Sequence, residues 1–122
     1  MNILIVDDSK AMRLIVRRSL RAAGYGSYEV EEATNGKEAL DMIRSKRPDL
    51  VLSDWNMPVM SGLELLQALS GERITVPFGF VTSEGTDEMR ERADGAGAKF
   101  LITKPFTPEA MLDALRPILR PA

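Results

Sequence analysis

Short, unbroken apolar runs alternate along this chain with longer stretches in which apolar residues recur every three or four positions. Runs of the first kind read as buried strands, and stretches of the second kind as amphipathic helices. Ile3 to Val6 is the first run. Ser9 then offers an N-cap for a helix over Lys10 to Ala23, stopped by Gly24, with Met12, Ile15, Val16 and Leu20 as its apolar stripe. Tyr28 to Ala33 is more polar and reads as an edge strand. Asn35 to Ser45 predicts a helix with Ala39, Leu40 and Ile43 inward, and after Pro48 the run Leu50 to Leu52 predicts a buried strand. Ser61 to Ser70 carries Leu63, Leu65, Leu66 and Leu69 at helical spacing. Val76 to Thr82 and Lys99 to Thr103 are the last two strands. A charged helix capped by Thr86 or Asp87 and running to Ala96 lies between them. Thr107 caps a final helix with Pro108 at its first position, where proline is well suited, and Met111, Leu112, Leu115, Ile118 and Leu119 form its apolar face.

Five strands alternating with five helices predict an α/β domain: a parallel sheet with right-handed crossovers and helices on both faces. The residues that close the strands change the picture from fold to chemistry. Asp7 and Asp8 follow the first strand, Asp54 follows the third, Thr82 ends the fourth and Lys104 follows the fifth. Open α/β sheets bind ligands beyond the carboxyl ends of their strands. Taken singly, each residue has a plain structural reading as a turn, a helix cap or a surface lysine. Four different strands ending this way in one small domain make a cluster of carboxylates with one ammonium the better reading.

Composition narrows the chemistry. At 122 residues the chain holds one domain, spanning 1–122, with 44% hydrophobic and 28% charged residues, the profile of an ordinary soluble globular protein. A net charge of −2 gives no electrostatic case for binding nucleic acid or a membrane surface. There is no cysteine, which excludes disulfides and thiolate metal sites, and no histidine, which excludes the commonest general base and the usual zinc ligand. The N-terminus lacks the basic segment and apolar length of a secretory signal, and no stretch reaches transmembrane length, so a cytoplasmic location is expected.

Three carboxylates brought together repel one another unless a cation compensates. With oxygen ligands alone, Mg²⁺ is the cation of choice. A carboxylate can also attack phosphorus and become an acyl phosphate. Lys104 and the Thr82 hydroxyl would then contact phosphoryl oxygens, and the small residue Ser83 leaves room for its own backbone N–H. With no histidine in the chain, the phosphoryl donor must be another molecule. Other features read as structural: Arg13, Arg17 and Arg21 as a solvated basic stripe, and the seven methionines as core filling. No glycine-rich nucleotide-binding loop is present.

Asp7-Asp8, Asp54-Trp55-Asn56-Met57-Pro58, Thr82-Ser83-Glu84-Gly85 and Lys104-Pro105-Phe106-Thr107-Pro108 resemble the motifs of the receiver domain of bacterial two-component response regulators. The resemblance covers the whole chain and looks most like the chemotaxis, CheY-type subgroup. It implies a flavodoxin-like (βα)5 fold with strand order 2-1-3-4-5. It implies that Asp54 is the phosphoacceptor, and that Asp7, Asp8, Asp54 and the backbone carbonyl of Asn56 hold Mg²⁺. Thr82 would be the switch hydroxyl and Lys104 the phosphate-binding lysine, joined to Pro105 by a cis bond. Asn56 and Glu84 occupy positions that tune autodephosphorylation in this family. The family usually carries Tyr or Phe three residues before the lysine; here that residue is Leu101, with Phe100 before it and on the opposite face. Transmission by a rotating aromatic ring is accordingly expected to be weakened or replaced.

The expectation is therefore a monomeric, stand-alone receiver rather than an enzyme. A CheA-like histidine kinase would phosphorylate it, and it would act by docking to a flagellar motor switch protein or another target, with a phosphatase as a further partner. A DNA-binding domain after the last helix is not expected, nor is a nucleic acid or membrane partner. Two alternatives stand beside this reading. One is a phosphorelay intermediate passing the group to a second histidine protein. The other is an aspartate-nucleophile phosphotransferase, disfavoured because such enzymes place a second Asp where this chain has Asn56.

Overall fold

The apolar runs are too short for helices and rich in β-branched or bulky residues, and they pair as predicted. In the computed structural model, which describes residues 1–121, β1 (Asn2–Val6), β2 (Glu29–Ala33), β3 (Leu50–Ser53), β4 (Phe78–Thr82) and β5 (Phe100–Thr103) form one parallel sheet ordered β2-β1-β3-β4-β5. The crossovers are α1 (Lys10–Leu20), α2 (Gly36–Ser45), α3 (Gly62–Gly71) and α4 (Asp87–Gly95), and α5 (Pro108–Leu115) follows β5. Ser9, Asn35, Ser61, Thr86 and Thr107 each accept a hydrogen bond from a first-turn amide, and Ser61 with Glu64 completes a capping box. Such caps contribute about 1 kcal/mol each and fix where each helix leaves the rim of the sheet.

The sheet separates two cores. Leu40, Ile43, Leu65, Leu69, Phe78 and Phe80 lie on the face covered by α2, α3 and α4, while Val16, Leu20, Tyr25, Met111 and Leu115 pack on the face covered by α1 and α5. Register then sets the site. Val6 pairs with Ser53, so Asp7 and Asp54, the next residues, emerge side by side. Thr82 pairs with Thr103, so Lys104 emerges beside Thr82.

Some expectations are corrected and others hold. Ile15 does not join the apolar stripe of α1: it is 47% exposed, because the helix buries Val16 and Leu20 instead. The first helix does break at Gly24, as its sequence predicts: α1 ends at Leu20, Arg21 keeps a right-handed helical backbone, and Gly24 at φ +101° is the residue that leaves the helical region. The basic stripe is not a solvated face, since Arg13 and Arg17 both turn onto Glu32 of β2, whereas Arg21 is exposed. The methionines fill the core in the main: Met111 is fully buried and Met42, Met57, Met60 and Met89 pack against the core, while Met1 is largely exposed. The expected alternation in β5 holds: Phe100 packs with the α1/α5 core and Leu101 with the opposite one. The ring of Phe100 fills the place where a Cβ on its register partner Gly79 would stand.

Candidate functional site

The β1–α1 turn is built around Asp7. This residue is buried, and its backbone N–H donates to Ala33 O. Oδ1 of Asp7 accepts from the Ser9 backbone N–H at 2.9 Å, and Oδ2 lies 3.2 Å from Lys104 Nζ. Asp8, next along the chain, is exposed and makes no hydrogen bond or ion pair among the described residues. At the end of β3 the Asp54 backbone N–H donates to Val6 O, which ties the two strand ends together. Oδ1 of Asp54 accepts from the Trp55 N–H at 2.7 Å, and Oδ2 is 3.4 Å from Lys104 Nζ. Oxygens from Asp7, Asp8 and Asp54 lie within 4.8 Å of one another.

Burial pushes the Asp54 carboxyl above its ordinary range. The Lys104 ammonium and the Trp55 N–H oppose that shift, and the neighbouring Asp7 charge adds to it. Lys104 alone thus leaves three clustered carboxylates under-compensated. A hard, oxygen-seeking divalent cation suits such a donor set, and Mg²⁺ fits the residues present. Thr82 Oγ1 is fully buried without a hydrogen-bond partner among the described residues. A buried hydroxyl left unpaired carries a free-energy penalty that an incoming acceptor oxygen at the strand rim would remove.

The structure brings Asp7, Asp8, Asp54 and Lys104 together, with Thr82 at the adjoining strand end. Asn56, Ser83 and Glu84 are exposed on the loops leaving β3 and β4. Phe100 and Leu101 lie within β5, outside the charged cluster, and the Lys104–Pro105 bond is cis as the resemblance implied. Trp55 is 7% exposed, with its ring 4.7 Å from that of Phe80 and the Arg92 guanidinium 5.9 Å from its centroid. Sequence reasoning missed Arg13, whose Nη1 donates to Asp7 O at 2.8 Å. It was legible only as one residue of a helical stripe; its partner Glu32 lies far along the chain.

Residues 3–116 match the family description "Response regulator receiver domain". The chain belongs to this family. Its members take a phosphoryl group from histidine kinases onto an aspartate in two-component signalling, and receiver domains bind Mg²⁺ at an acidic pocket. The receiver is 42% identical over 120 residues to the response regulator MprA of Mycobacterium tuberculosis, covering 97% of this chain and 50% of that protein. It is 38% identical to the phosphate regulon transcriptional regulatory protein PhoB of Pseudomonas aeruginosa, covering 97% of this chain and 51% of that protein. The receiver thus spans about half the length of these two relatives. Among solved structures it is similar to the chemotaxis protein CheY4 of Vibrio cholerae, with a TM-score of 0.83, 37% identity and coverage of 97% and 98% of the two chains. No helix among the described residues is long and apolar enough to cross a membrane.

Proposed function

We propose that this receiver is phosphorylated on Asp54 by a partner histidine kinase and that the modification switches a docking surface. The observation that carries this reading is the three-carboxylate cluster with one lysine, beside a buried, unpartnered threonine hydroxyl. An Asp54 carboxylate oxygen attacks the phosphorus of a phosphohistidine. The new O–P bond forms as the N–P bond breaks, and the imidazole nitrogen keeps the electron pair. Asp7, Asp8, Asp54 and the Asn56 carbonyl would hold Mg²⁺, which when bound would supply positive charge against the transferring group. Lys104 pairs with a phosphoryl oxygen in place of its present contact with Asp54. Thr82 then donates its unpaired hydroxyl to another, drawing residues 82–86 inward. That movement biases the face formed by α4, β5 and α5 towards partner binding. Asn56 and Glu84 are proposed to tune hydrolysis of the acyl phosphate, a reading supported by the motif resemblance and by their exposure on the loops after β3 and β4.

The output is proposed to be docking to a motility or chemotaxis target in the cytoplasm, supported by the motif resemblance and the likeness to a chemotaxis protein over nearly the full length of both chains. A second reading, control of transcription, is supported by the similarity to MprA and PhoB. The test uses Trp55 fluorescence in wild type and Asp54→Asn, with Mg²⁺ and then acetyl phosphate added. A Mg²⁺ response followed by an acetyl phosphate response that Asp54→Asn lacks supports the reading. Silence to both, with no phosphoryl adduct by intact mass, removes it.

A further inference from the structure

The arginine stripe of α1, unused by the phosphoryl chemistry, reaches the carboxylate cluster from behind. Arg13 is the least exposed of the paired arginines, with a side chain 13% exposed. Its guanidinium forks: Nη1 donates to the Asp7 backbone oxygen at 2.8 Å, and Nε donates to Glu32 Oε1 at 2.7 Å. The other Glu32 oxygen accepts from Arg17 Nη2 at 2.6 Å, and that nitrogen also reaches Val30 O at 3.4 Å. One clamp therefore joins α1, the edge strand β2 and the residue that closes β1.

The Asp7 oxygen is the carbonyl of the peptide leading into Asp8. Every other polar group of Asp7 is already engaged, by Ala33 O, Ser9 N–H and Lys104. Asp8 has no partner of its own among the described residues, so its position is set by the backbone that carries it. A bare arginine this close to an acidic cation site would weaken cation binding by repulsion. Here Glu32 offsets part of that charge, its one carboxylate being shared between Arg13 and Arg17, which lies one helical turn further along α1 and holds Glu32 in place. The Arg17 and Arg13 hydrogen bonds hold the Glu32 carboxyl below its ordinary range, so it is ionised at neutral pH.

We propose that Arg13 is a positioning residue for the divalent-cation site: it fixes the Asp7–Asp8 peptide so that Asp8 faces the cluster, with Glu32 partly screening its charge. Outer groups that orient metal ligands commonly change affinity by about 10- to 100-fold when lost. Lysine cannot replace the fork, because a point donor on a flexible stem does not span two acceptors in a fixed plane.

The inference rests on the Mg²⁺ reading above, and its test separates the two. Mg²⁺ is titrated against the full chain by Trp55 fluorescence and calorimetry, with thermal melts in chelator for each variant. Arg13→Gln and Arg13→Lys are expected to weaken Mg²⁺ binding about tenfold, and Glu32→Gln to weaken it in the same direction. Arg18→Gln, an exposed neighbour on α1 outside the clamp, is expected to match wild type. Charge alone predicts the opposite sign for Arg13→Gln, since removing a cation would tighten Mg²⁺ binding. A merely structural staple would lower the melting temperature and leave Mg²⁺ affinity of the folded chain unchanged. Either of those outcomes overturns the inference while the Mg²⁺ site stands. If Arg13→Gln does not fold, Arg13→Lys, which keeps the charge and loses the fork, decides the matter: wild-type Mg²⁺ affinity in that variant overturns the inference. Wild type with no Mg²⁺ response overturns both readings together.

Discussion

Phe100 on β5 fills the space that a side chain on Gly79 of β4 would occupy, the two being directly paired in register. An aromatic ring laid over a glycine replaces the packing that the missing side chain cannot supply. Gly79→Ala is therefore expected to destabilise the fold by about 1–3 kcal/mol through overpacking. The double variant Gly79→Leu with Phe100→Gly should recover part of what either single change loses. Chemical denaturation of the four proteins gives the coupling directly, and strictly additive losses would show that ring and glycine are independent.

Asp54 gives a pH signature. Burial, ahead of its other neighbours, raises its folded pKa above the unfolded value. The folded state thus holds this proton more tightly than the unfolded chain. The stabilising contribution is complete below the unfolded pKa and lost as pH rises through the folded one. Asp54→Asn cannot ionise, so in chelator at pH 7 it should melt higher than wild type. The gap should close as pH falls through the carboxylate range. A gap of the same size at every pH would point to packing instead.

Among the described residues Lys104 is the only cation ion-paired to the carboxylates of the cluster. Replacing it with Met leaves Asp7 and Asp54 facing each other uncompensated, at a loss on the order of 1–3 kcal/mol. Mg²⁺ should then stabilise Lys104→Met more than wild type, because the ion takes over the lost compensation. Phosphorylation by acetyl phosphate should slow on the order of 10²-fold, the usual effect of removing one transition-state donor. Thermal shift with and without Mg²⁺, together with intact-mass time courses, checks both. Mg²⁺ stabilisation no greater than in wild type would remove Lys104 from the electrostatics of the site.

Leu101 stands where the family usually has an aromatic ring, and Arg90 of α4 donates to the Leu101 backbone oxygen at 3.1 Å. Leu101→Tyr is expected to strengthen the response of α4 to phosphorylation, read as the change in amide exchange over Asp87–Gly95 on adding Mg²⁺ and acetyl phosphate. An unchanged response, with unchanged phosphorylation dependence of partner binding, would mean that the missing ring does not limit transmission.

Alternating apolar runs and amphipathic stretches determined the five strands, the five helices and the caps at Ser9, Thr86 and Thr107, because side-chain periodicity and N-cap chemistry are local properties. The strand-end residues Asp7, Asp8, Asp54, Thr82 and Lys104 were legible for the same reason: a parallel sheet sends all its carboxyl ends to one rim. What the sequence could not decide was which side chain meets which across that rim. Ile15 fits the helical stripe by spacing, yet the docking angle of α1 leaves it exposed. Arg13 and Arg17 look like a solvated row until β2 places Glu32 beside them. The Asp54 pKa shift depends on burial, and the pairing of Phe100 with Gly79 on strand register. Those are long-range facts, set when the sheet closes and the two cores pack against it, and no local pattern encodes them.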